Sequence, residues 1–155
     1  MRIVVAALAL ITVWGGCGSG IAIAQSLDLQ ERCGVQAGKA FRQWKSEDEQ
    51  ESRRLNSPNT QILSADYQSH YNTQLNRCLM TVQMTRMDGS NTKWLSDANE
   101  NRIYAFYLWM PDPKGVKKYW EVRPFSCELT PSIREKRLCS SEDEYNEFVA
   151  TYMEQ

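Results

Sequence analysis

The sequence predicts an α+β domain: an N-terminal helix, an antiparallel meander of about four strands and a C-terminal amphipathic helix, held by two disulfides. Three observations predict it. Apolar residues recur at helical spacing near both ends of the chain, and from Cys78 the period changes to two. Short turn signals separate the strand segments, which favours antiparallel order. Beyond residue 24 the cysteines are even in number: Cys33, Cys78, Cys127 and Cys139. Such a domain is expected to carry its helices on one face of the sheet.

The first 24 residues read as a leader. Arg2 supplies a short positive region, Ile3 to Trp14 is apolar, and Ala22-Ile23-Ala24 is an A-x-A cleavage pattern before Gln25. Glycines at 15, 16, 18 and 20 break the run too early for a membrane span. A second fate is lipidation at Cys17, with Gly18-Ser19-Gly20 as a flexible tether, although Trp14 does not suit the leading position of the small-residue triplet. Residues 25–155 are then one domain.

Its first helix is expected from Leu27 to near Lys45, capped by Ser26, with Cys33, Ala37, Ala40, Phe41 and Trp44 on one face. Residues 46–62 form a polar loop or an extension of that helix, ending in Asn56-Ser57-Pro58-Asn59. Leu63, Tyr67, Tyr71 and Leu75 fit a short helix or an extended segment equally. Cys78, Met80, Val82 and Met84 alternate with Leu79, Thr81, Gln83 and Thr85 as a half-buried strand, and Asp88-Gly89-Ser90-Asn91 is a turn. Asn101 to Trp109 is apolar on both faces, which suits a central strand covered on each side.

After the turn at Pro111 to Gly115, a strand is expected from Lys118 to Leu129. A bulge at Pro124 would place Trp120, Val122 and Phe125 in one core. Glu135 to Cys139 is the return strand, across a turn at Leu129 to Ser132. Ser141 and Glu144 make a capping box for the last helix, whose stripe is Tyr145, Phe148, Val149, Tyr152 and Met153. The pairings expected are Cys127–Cys139, across the hairpin, and Cys33–Cys78, tying helix to strand.

Composition excludes several functions. With 18 basic and 19 acidic residues, nothing favours nucleic acid as a partner. The longest apolar stretch after the leader, Ile103 to Met110, is too short for a transmembrane segment. No C-x-x-C exists for redox or zinc chemistry. The single histidine, His70, gives no metal set, and no nucleophile motif accompanies it. No catalytic residue, metal ligand or cofactor is therefore assigned. A two-carboxylate hydrolase needs only paired acids, and Asp66, Asp97, Glu100 and Glu121 stand outside the charge runs. Aromatic residues dominate recognition surfaces, so the candidate ligand-binding residues are His70, Tyr71, Trp94 and Trp109.

Ser69-His70-Tyr71-Asn72 followed by Leu75-Asn76-x-Cys78, with Cys127 and the later Cys139-x-Ser141-x-x-Glu144-Tyr145, resembles a group of small exported bacterial proteins of unknown function. The resemblance covers Tyr67 to Met153. It implies a bacterial origin, supports the same disulfide pairing and implies no activity. The functional expectation is a non-enzymatic module, periplasmic or secreted, that binds an envelope protein or a small ligand. The alternatives are a carboxylate-dependent hydrolase, or the same module anchored through Cys17.

Overall fold

The computed structural model describes residues 19–56, 60–100, 102–132 and 134–154; for residues 19–25 and Trp120 only the backbone is described. Helix α1 (Ser19–Arg54) is followed by strands β1 (Ile62–Asn72), β2 (Arg77–Arg86), β3 (Asn91–Asp97), β4 (Ile103–Trp109), β5 (Ser126–Ser132) and β6 (Glu135–Leu138), then helix α2 (Glu142–Met153). The strands form one antiparallel meander in sequence order. The sheet thus has six strands rather than about four. The undecided stretch around Tyr67 is a strand, and Trp94 lies in another.

Side chains of opposite parity point to opposite faces of a strand. On β2, Cys78, Met80 and Val82 pack with Cys33 and Ala37 of α1. Leu79 instead joins Leu95, Ala105, Tyr107, Leu129, Tyr145 and Phe148, the core under α2. The helices therefore lie on opposite faces, not on one. The reason is in β4, which is apolar on both sides, and in Leu79 of β2, since such a strand needs a cover on each face.

Each helix is stapled to its own face. Cys33–Cys78 joins α1 to β2, and Cys127–Cys139 joins β5 to the residues leading into α2. Gly38 lets α1 lie close to β1, since a Cβ there would stand 2.9 Å from the Tyr67 hydroxyl. The charged segment after Ser46 extends α1 as far as Arg54, and Ser26 lies inside that helix instead of capping it. At α2, Ser141 accepts the Glu144 N–H at 3.2 Å, while the Glu144 carboxylate accepts from the Ser140 N–H, one residue earlier than the expected box.

Two strand expectations fail between Pro111 and Ser132. Residues 118–125 join no strand: the Asp112 carboxylate accepts the Lys114, Val116 and Lys117 N–H groups, and Glu121 accepts that of Lys118. Those N–H groups are lost to a ladder, and Tyr119–Glu121 forms a single 3-10 turn in which Glu121 and Val122 donate locally. Phe125 is 74% exposed and joins no core, and the side chain of Trp120 lies outside the described residues. The expected turn at Leu129–Ser132 is strand, because Pro131 falls past the last β4 pair, Ala105–Leu129, where its missing N–H costs nothing.

The leader reading rests on residues 1–18, outside the described set, and on 19–24, which are the first turns of α1. Cys17 is likewise outside it. Among the described residues no helix is long and apolar enough to cross a membrane.

Candidate functional site

A helix is about 10 Å across and strands are about 4.8 Å apart, so one helix covers about two strands. α1 lies over β1 and β2. Among the described residues the same face of β3 and β4 has no helix above it, and the step between α1 and these strands is a groove of about 650 Å³. Its helical wall is Ala40, Trp44 and Asp48, spaced four apart. Its floor is Met80 and Met84 of β2 with Thr92, Trp94 and Ser96 of β3. Ile103, Phe106, Leu108 and Met110 form the open side, with Ile103 51% exposed. Trp44 meets Trp94 edge to face at 4.6 Å between centroids.

One end of the groove is closed by an ion pair. Arg86 Nη2 donates to Asp48 Oδ1 at 2.5 Å, and Nη1 donates to Oδ2 at 3.1 Å and to the Thr60 carbonyl. Both side chains are four-fifths buried. This bidentate pair fixes the C-terminal half of α1 against β2 and leaves the site without net charge.

Of the four candidate ligand-binding residues, only Trp94 lines this groove. Tyr71 shares its face but packs beside Cys33–Cys78, with its N–H on Gln30 Oε1 at 2.8 Å and its hydroxyl on Asn76. His70, next in sequence to Tyr71, pairs with Leu79 and points to the α2 side. Trp109 is also on the α2 side, 4.6 Å from the Tyr119 ring, its Nε1 donating to the Val122 carbonyl at 3.3 Å. The four residues therefore divide between two faces. The residues missed were Trp44, the methionines, Phe106 and Leu108, whose signal was the double-sided hydrophobicity of β4 set against a single helix.

On the α2 side, Glu142 in the first helical turn accepts from Lys93 Nζ and the Tyr119 hydroxyl. Burial alone would raise its pKa; the hydrogen bonds from Lys93 and Tyr119 and the charge of Lys93 outweigh that and hold it below the usual carboxylate range. Burial pushes Tyr119 and Tyr145 up, Tyr119 further through its bond to Glu142. These groups join the 3-10 turn, β3 and α2 into one unit.

Of the four acids considered for hydrolysis, Asp97 and Glu100 meet on one arginine, and Asp66 and Glu121 stand apart. Asp97 is buried and accepts the N–H groups of Asn99 and Glu100, while Arg77 bridges Asp97 and Glu100. Asp66 lines a different groove beside α2, and Glu121 holds the Lys118 N–H. Among the described residues no group of three His, Cys, Asp or Glu side chains could hold a metal ion. No family model, curated protein or solved structure matches the chain.

Proposed function

We propose that this chain is an exported, non-enzymatic binding module whose groove between α1 and the β3–β4 face receives a small, largely apolar ligand. The observation that carries the reading is the groove itself. It is in the size range of small-molecule sites, is walled by aromatic and thioether side chains, and ends in a few polar groups. Two tryptophans and three methionines give a surface that is both large and adaptable. Export is supported by the leader pattern, by the two disulfides, which persist in oxidising compartments, and by the likeness to small exported proteins. Intact protein recovered outside the cytoplasm should begin at Gln25 and weigh four hydrogens less than its reduced form; a lipid mass on Cys17 would instead make it an anchored module.

Diphenylhexatriene, a hydrocarbon dye that fluoresces when shielded from water, tests the site. The folded protein should bind it, and Trp94→Ala should weaken that binding. Trp109→Ala, on the opposite face, should not. Equal loss in both variants, or binding unmoved by Trp94→Ala, places the dye elsewhere and ends this reading.

A further inference from the structure

We infer, resting on the groove as a ligand site, that its ligand is an uncharged amphiphile: a hydrocarbon carrying a neutral hydrogen-bonding group such as an amide, alcohol or ester, and that the Thr92 hydroxyl reads this group. Thr92 is 8% exposed and Ser96 5%, and both line the groove on the same side of β3 as Trp94. Neither hydroxyl has a hydrogen-bond partner among the described residues. A buried hydroxyl left without a partner is costly and uncommon. At a purely structural position facing Met84 across the ladder, valine would fill the same space without that cost. These hydroxyls are also not sealed away: among the described residues, the fully enclosed side-chain polar atom lacking a partner is Asn91 Oδ1.

Charge decides what kind of polar group fits. The ionised side chains lining the groove are Asp48 and Arg86, and each satisfies the other. A carboxylate or phosphate entering here would lose its water and find a guanidinium already committed to Asp48 and to the Thr60 carbonyl. A cationic head would meet a carboxylate committed in the same way. A buried charge without a partner costs far more than a neutral group that keeps one hydrogen bond. Thr92 pairs with Met84, two residues before Arg86, so the head would lie at the polar end. The hydrocarbon would then run over Trp94 toward Met80 and Phe106.

The test is displacement of diphenylhexatriene by a matched pair, decanamide and decanoate, near neutral pH. Decanamide should bind at least about tenfold more tightly than decanoate. Thr92→Val should raise the Kd of decanamide about 2- to 10-fold more than it raises that of the dye, the effect of one hydrogen bond, without lowering the melting temperature. Decanoate binding as well as decanamide, or decanamide indifferent to Thr92→Val while the dye still binds, overturns the inference and leaves the groove standing. Failure of the dye to bind at all removes both.

Discussion

On the α2 side of the sheet, Leu79, Leu95 and Leu129 have no exposed surface, whereas on the α1 side Phe106 and Leu108 stay partly exposed and Ile103 is 51% exposed. α2 is only 12 residues long and α1 is 36. The short helix nevertheless buries the leucines of its face, because it lies across the sheet and reaches β1, β4 and β5, leaving a groove of about 560 Å³ on the outer part of that face. The long one runs beside the β1 edge and leaves β3 and β4 bare. Helix length does not decide coverage; placement does. The α2 face supplies the fully buried leucine core, and the α1 face is left incomplete where two tryptophans, three methionines and the Thr92 and Ser96 hydroxyls gather.

The largest expected effects come from the staples. Replacing Cys33 and Cys78 together by alanine should cost about 4 kcal/mol, and replacing Cys127 and Cys139 about 3 kcal/mol, from loops of 45 and 12 residues. Denaturant titration measures both. Dye binding separates them: loss of Cys33–Cys78 frees the wall of the groove and should weaken binding even where the protein stays folded, while loss of Cys127–Cys139 should not. The opposite result would mean that the groove is not shaped by α1.

Leucine truncations compare the faces directly. Leu129→Ala should cost about 3 kcal/mol, because the site is closed and leaves a cavity. Leu108→Ala, on the open side, should cost less, about 1–2 kcal/mol, since its side chain keeps part of its surface in water and truncation leaves no closed cavity. Equal costs would mean that the α1 side is as fully packed as the other and that the groove is closed in solution.

Much of this asymmetry could be read from the residues, and part could not. Period two from Cys78 gave β2, the stripe from Tyr145 gave α2, and the spacing of the cysteines gave both bonds. β1 was undecided because Leu63, Tyr67 and Tyr71 lie at multiples of two and of four at once, so both periods fit. The segment around Tyr119 was misread because its start is tied locally, Asp112 holding the N–H groups that lead into it and Glu121 that of Lys118, an effect with no apolar period. The groove was out of reach for a different reason. Its residues come from α1, β2, β3 and β4, and only the register Val82–Trp94–Phe106 brings them onto one face. His70 and Tyr71 were grouped because they adjoin in sequence, yet in a strand that adjacency is what separates them.

Glu142 gives the sealed face a pH dependence. Its folded carboxyl holds a proton less tightly than the unfolded one, so the stabilisation is complete above the ordinary value of 4.5 and is lost as pH falls through the lowered folded value. Glu142→Gln should cost about 1 kcal/mol at neutral pH, and the gap to the native chain should close in acid. Unfolding measured between neutral and acidic pH checks this. A gap that persists unchanged in acid would mean that the carboxylate charge contributes nothing to holding α2.

The smallest effect concerns what keeps α1 at the edge. The Gln30 side chain forms two bonds to β1: Nε2 donates to the Ser69 carbonyl at 3.2 Å, and Oε1 accepts from the Tyr71 N–H at 2.8 Å. These are backbone groups of the outer edge, which would otherwise be open to another strand. Asp66 adds a third seal by accepting the Tyr67 N–H at 2.8 Å. The glutamine therefore blunts the edge and also holds the helix beside β1, away from the middle of the sheet. Gln30→Ala should cost below about 1 kcal/mol, because Cys33–Cys78 still holds the next turn of the helix. Its clearer signature is local: hydrogen exchange at the Tyr71 amide should quicken about tenfold, while amides of β4 keep their protection. If exchange quickens equally across β4, the edge bonds are part of the global core, and the incomplete cover over β3 and β4 does not depend on where α1 is pinned.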